Sequence, residues 1–353
     1  MNSGEQGSGG VAEASAPAAG TPAVTSVATS SPKRWRGPAV AEVLSRYSLI
    51  VVLAALWLLF SLWNPQVFAT TANLQTILLV QASVALIALA VMVPLVAGHF
   101  DLSSGFQFGL AQSLCAILVI QKGWNPLLAI LAVLGVGGLI GLVNGQLITR
   151  LNLPSFTTTL GTGLVILGLS EFLTDNQVIA GAAPDWFLAL GRGSLAGIPL
   201  PFLYLALIGI ALFVMLELAV WGRRAYAVGA NPVAARLSGI AVDKLVRQSF
   251  VITGLLCALA GCISVTSLGG SSPVIGFGSL LPAFAGAFLG ATCIRPGRYN
   301  VAGTVIAVYV IGVGIIGLQQ NGANVYVQDL FNGGALLVAV IVATLARRRR
   351  TAS

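Results

Sequence analysis

The sequence predicts an all-α polytopic membrane protein, with about ten transmembrane helices in two inverted five-helix halves. Composition, the recurrence of apolar runs and the sidedness of positive charge predict it. Of 353 residues, 57% are hydrophobic and only 8% charged, and mean hydropathy is +0.93. A soluble domain carries about 25% charged residues to wet its surface. This chain has too few to do so, and its apolar surface needs lipid as solvent. A water-soluble enzyme is excluded. Gly, at 42 residues, suits helices that pack closely in a bilayer. Cys115, Cys257, Cys262 and Cys293 lie in apolar runs without a CxxC, and read as small core residues.

Residues 1–32 are mostly Ala, Gly, Ser, Thr and Pro, which cannot bury enough apolar area to offset their ordering entropy. With Lys33, Arg34, Arg36 and Arg46 they form a disordered cytoplasmic tail over 1–46, and no small-residue cleavage site follows to make a signal peptide. The membrane domain runs over 47–346. Its spans fall at 47–63, 75–97, 104–121, 127–149, 155–173, 202–221, 248–268, 280–294, 301–320 and 330–346, before a basic cytoplasmic C-terminus over 347–353. The third opens on a Gly- and Ser-rich break, and the eighth is short for a bilayer about 30 Å thick at 1.5 Å rise per residue.

Charge checks this count independently. With the N-terminus inside, sixteen of the eighteen Lys and Arg residues fall on the cytoplasmic side, and only Lys122 and Arg192 lie outside. The net charge of +8 is thereby topological, and no nucleic-acid partner is needed. Five spans per half force the second half to enter from the opposite face. Each half also breaks between its second and third spans, at Gly98, Asp101, Ser103 and Gly105 in the first and at 269–278 in the second.

Gly312-Val313-Gly314-Ile315-Ile316-Gly317 matches a dinucleotide fingerprint, but it lies inside an apolar span and reads as helix packing. Gly137, Gly141 and Gly145, and Gly286 and Gly290, recur at four-residue spacing for close helix approach. None of the three lysines is followed by Ser or Thr, so there is no P-loop; nor is there a GxSxG elbow. His99 is the only histidine, and no metal site or cofactor is expected. All ten acids fall in the tail, in loops or near span ends, which argues against ion coupling and against a charged solute. Neutral polar groups within the spans, among them Gln107, Gln112, Asn144, Thr158, Thr162 and Gln319, are candidates to line a path for a neutral polyol, or to bond helix to helix.

The loop 222–247 is the most informative. Asn231 suits an N-cap, Pro232 the first helical position and Gly239 the C′ position, around a helix of about two turns with Val233 and Leu237 on one face. So short a helix is unstable alone in water and needs a docking partner.

Asn231-Pro232-Val233-Ala234-Ala235-Arg236-Leu237-Ser238-Gly239-Ile240 resembles the cytoplasmic coupling segment of ribose-type ABC importer permeases. Gly98-His99-Phe100-Asp101-Leu102-Ser103-Ser104-Gly105 is similar to their Gly-Gly-Ile-Asp-Leu-Ser-Val-Gly signature, with His99 and Phe100 in place of Gly and Ile. The run Gly141 to Gly145, then Leu153 to Phe156 and Thr159 to Thr162, resembles the next family motif. The likeness covers about 45–346.

It implies an importer in a bacterial cell membrane, built from two permeases (identical or not), a cytoplasmic ABC ATPase and an extracytoplasmic sugar-binding protein. The helix at 232–238, with Arg236 available to acids of the ATPase, would transmit ATPase closure. The outer loop 174–201 would help to meet the binding protein. An ion-coupled secondary sugar transporter is the alternative; it would want a mid-membrane acid and would not need that helix.

Overall fold

The computed structural model describes residues 46–272 and 275–351. The tail over 1–45, residues 352–353 and Pro273 of the second break lie outside the described residues. Thirteen helices are named here: α1 Ser48–Trp63, α2 Thr71–Val96, α3 Ser103–Ala116, α4 Pro126–Arg150, α5 Ser155–Thr174, α6 Asp185–Arg192 and α7 Leu200–Phe213. Then come α8 Val220–Ala230, α9 Pro232–Leu237, α10 Val242–Leu268, α11 Ile275–Gly290, α12 Val301–Gln320 and α13 Tyr326–Thr351. Helix α3 runs on through a π turn at Ile117–Gln121, and α7 through another at Val214–Leu218. Among the described residues, seven helices are long and apolar enough to cross a membrane: α2, α3 with its π turn, α4, α5, α7 with its π turn, α10 and α12. Helices α1 and α11 are apolar but shorter than that length.

Each expected span is matched by a helix, with shifted ends. Helix α2 starts four residues before its apolar run because Thr70 caps it, its hydroxyl accepting from Asn73 N at 3.2 Å. Helix α10 starts six residues early, carrying Asp243, Lys244 and Arg247 on turns that precede the apolar run. The loop 222–247, read as holding one short helix, is mostly helical, because α8 and α9 fill it up to α10. The loop 174–201 contains α6 and the strand pair Ser194–Leu195 with Ile198–Pro199, and its strand Ile179–Ala180 pairs with Gly270–Ser271 of the second break.

The core is α3, buried along almost its whole length and enclosed by α4, α5, α10 and α11. Its polar side chains face protein, which explains why its mean hydropathy of 1.4 is low for a span. Helix α10 packs on α2, α3 and α4, while α2 packs on α10, α11 and α12. The glycine spacing works as expected: a Cβ at Gly137, Gly141 or Gly145 would run into the α10 backbone at Gly254, Phe250 or Arg247. Gly312, Gly314 and Gly317 receive Gln81, Phe331 and Phe60, so the fingerprint-like run is a packing surface. Arg192, one of the two cations expected outside, donates to Ser267 O (3.1 Å) and Leu268 O (3.4 Å), capping the carbonyl end of α10.

Candidate coupling and translocation site

The site begins where α2 ends. Pro94 has no N–H, which leaves the carbonyl of Ala90 without its helical donor. The hydroxyl of Thr253 on α10 supplies one at 2.9 Å. Gly98, at φ +85°, then closes α2: its N–H bonds Leu95 O (3.1 Å) and the His99 N–H bonds Pro94 O (2.9 Å), a Schellman ending. The next N–H groups are taken by α5. Phe100 N donates to Ser155 Oγ (3.2 Å), and Leu102 N to Thr159 Oγ1 (3.0 Å).

Asp101 is fully buried in this break, between the two spans. Its Oδ1 accepts from Ser103 N (3.0 Å) and from the Ser103 hydroxyl, which places a carboxylate at the positive end of α3. Ser103 Oγ in turn accepts from Gln107 Nε2 (2.7 Å) and Asn144 Nδ2 (2.8 Å). The outer oxygen of each partner, Asp101 Oδ2, Gln107 Oε1 and Asn144 Oδ1, is buried without a donor among the described residues. Burial pushes the Asp101 carboxyl up to about 6, against the opposing pull of its Ser103 bonds.

The candidate path residues therefore divide. Gln107, Gln112 and Asn144 are buried in contacts within and between helices, Gln112 donating to Ser264 Oγ at 2.8 Å. Thr158 and Thr162 are half-buried on α5, their hydroxyls turned back to Pro154 O (2.8 Å) and Thr159 O (3.2 Å); Gln319 is half-buried on α12. The break also carries an aromatic cluster that the sequence reading missed. Phe100 lies 6.3–6.5 Å from the rings of Phe156, Phe284 and Phe288. Its only sequence signal was the Phe at a position where the signature has Ile.

Helix α9 forms as its caps dictate. Asn231 Oδ1 accepts from Ala234 N at 3.0 Å, Pro232 takes the first position, and Gly239 at φ +79° completes a Schellman ending through Gly239 N–Arg236 O and Ile240 N–Ala235 O, both 3.0 Å. Ala235 faces inward, whereas Val233 is 66% and Leu237 86% exposed. Arg236, expected to be available to acids of a partner, pairs within the chain with Asp243 at 2.9 Å, because the turn at Gly239 folds the start of α10 back beside it, and both side chains stay exposed.

Behind α9, α8 meets the break directly: a Cβ at Gly229 would run into Val96 O and Gly98 N. On its other side, Tyr226 donates to Tyr299 O at 2.7 Å while Arg298 lies 3.5 Å above the Tyr226 ring. Glu217, its side chain buried, pairs with Arg295 and with Arg298 (3.5 Å). So the exposed helix α9, the clamped helix α8 and the buried Asp101 break form one contiguous column.

Residues 73–341 match the family model described as a permease component of branched-chain amino acid transport systems. The chain belongs to this permease family. It is similar to the ribose import permease protein of Bacillus subtilis (34% identity, covering 85% of this chain and 93% of that protein). It is also similar to the D-allose transport system permease protein of Escherichia coli K12 (31%; 84% and 90%) and to the L-arabinose ABC transporter permease protein of Azospirillum brasilense (30%; 91% and 94%). No solved structure matches it. The chain is thus a multi-pass membrane permease component and not an enzyme.

Proposed function

We propose that this permease carries a neutral sugar, a ribose-like monosaccharide or polyol, as the membrane subunit of an ATP-driven ABC importer. The solved-out observation behind this reading is the exposed pair Val233 and Leu237 on a six-residue helix that has both caps satisfied. Water does not stabilise such a helix, so its apolar face fits a subunit that closes over it, a cytoplasmic ABC ATPase. The column through α8 then carries that motion to the break at Gly98, Asp101, Ser103 and Gly105 and to the α3–α5–α11 face. Relatives named for ribose, allose and arabinose support a sugar over an amino acid. A zwitterion would want paired charges along the path, and the candidate residues Thr158, Thr162 and Gln319 are neutral.

The same reading takes α1 to α5 as one half and α7, α10, α11, α12 and α13 as the inverted other, giving ten spans with both termini cytoplasmic. Packing supports it: α3 on α5 is matched by α11 on α13, and α10 on α4 by α2 on α12. A second permease copy would complete the path, and an extracytoplasmic sugar-binding protein would deliver the solute to the α6 side.

The test is co-purification of the ATPase together with uptake of labelled sugar. Burying a Leu is worth about 1.5–3 kcal/mol, so Leu237→Asp should strip the ATPase from membranes while the permease still inserts. If Leu237→Asp retains both assembly and uptake, coupling belongs to another loop, with Arg150 or the Arg295–Arg298 turn next. Uptake that persists with a hydrolysis-dead ATPase would favour the ion-coupled alternative, with Asp101 as its acid.

A further inference from the structure

Between α4, the corner joining α7 to α8, and the start of α10 lies a groove of about 590 Å3. Its walls are Leu142, Met215, Val251 and Ile252, and its other end carries Lys244 and Arg247. The apolar strip continues along both long helices: Leu139, one turn before Leu142, is 59% exposed, and Leu255, one turn after Val251, is 39% exposed. Of the cations nearby, Arg236 pairs with Asp243, and Arg295 and Arg298 with Glu217, while Arg223 donates to Leu218 O at 2.9 Å. Lys244 and Arg247 have no acid partner among the described residues. Trp221 marks the border between the two ends, its indole N–H tied to Gln248 Oε1 at 3.0 Å. Indole rings favour the level of lipid headgroups.

Hydrocarbon walls, an indole belt and two unpaired cations at one end are complementary to an amphiphile with an anionic head. We propose that this groove binds one anionic phospholipid, with its phosphate on Lys244 and Arg247 and an acyl chain along Leu142, Met215, Val251 and Ile252. The proposal rests on the bilayer placement of α4, α7 and α10, and is independent of solute and ATPase. Lys244 follows Asp243, the residue that holds Arg236 of α9. Bound lipid therefore steadies the first turn of α10, against which the coupling helix is anchored.

The test is native mass spectrometry of the full chain in mild detergent, titrated with phosphatidylglycerol or phosphatidylcholine. Phosphatidylglycerol should be retained preferentially. The pair Lys244→Gln and Arg247→Gln, which keeps a polar side chain with the first two methylenes of each stem, should weaken retention about thirtyfold, the factor expected of two cations near an anionic surface. Val251→Trp should displace the lipid by filling the groove with both cations intact. Arg150→Gln with Arg224→Gln removes equal charge elsewhere and should leave retention unchanged. Equal loss in that control pair, or equal retention of phosphatidylcholine, would overturn the proposal. So would competition by water-soluble glycerophosphoglycerol, which makes the site one for phosphate alone, or a Val251→Cys disulfide between two copies, which makes the groove a subunit interface.

Discussion

Asp101 shows how much one side chain depends on what surrounds it. In the sequence it is an acid in a Gly- and Ser-rich break; in the fold it has no exposed surface and one carboxylate oxygen without a donor. Its raised pKa means that the folded chain binds a proton more readily than the unfolded chain between about pH 4 and 6. Stability should fall as pH rises through that window and then level off above 6, where the ionisation penalty is fully present. Asp101→Asn keeps an acceptor for Ser103 N and removes the charge, so the variant should lose this slope and melt no lower than the parent at pH 7.5. Thermal unfolding in detergent from pH 4 to 8 checks it. His99, whose pKa burial lowers, contributes to both proteins and cancels in the difference. A variant with the parent's slope would mean that Asp101 is already ionised and satisfied below pH 6.

Among elements, the proposed coupling would fall to α8 and α9 together. Asn231→Ala removes one cap and should weaken ATPase assembly by about 1 kcal/mol, roughly fivefold in affinity, with uptake falling in step. Gly229→Ala should behave differently. Its Cβ would push α8 off Val96 and Gly98 without touching the exposed face of α9. The expected outcome is normal ATPase assembly with uptake reduced at least tenfold, read as hydrolysis no longer matched by transport. If assembly and uptake fall together, α8 only holds α9 in place and transmits nothing to the break.

For the whole molecule, topology is the property to measure. Sidedness of charge predicts the α6 loop outside and the C-terminus inside. Gly191 would be a natural cysteine position in that loop by sequence, but it is buried against Thr266 and Ser267 of α10. Ser194, exposed on the short strand pair, replaces it. In intact cells Ser194→Cys should react with an impermeant maleimide and Ser353→Cys should not. Labelling at Ser353 would remove one span from the count, and the short α11 is the first to suspect.

Much of this was determined by sequence alone, wherever the cause is local or is set by the solvent. The apolar runs had to become helices, because lipid offers no partner to a free backbone group. The caps of α9, at Asn231, Pro232 and Gly239, needed no tertiary information, since each acts within its own helix end. Glycine spacing on α4 likewise foretold close helix contact. What tertiary structure decided is which polar groups meet. Asn144, a candidate for a solute path, bonds Ser103 across helices, since α4 crosses α3 where Gly137, Gly141 and Gly145 also let α10 come close, whereas Gln107 reaches the same hydroxyl from one turn along α3. Arg236 found Asp243, Thr253 found the carbonyl freed by Pro94, and Phe100 joined three rings from α5 and α11. Those partners are up to 188 residues apart in Phe100's case (Phe288), and no periodicity or spacing in one chain encodes a meeting across helices; only the packed bundle brings such groups within bonding distance.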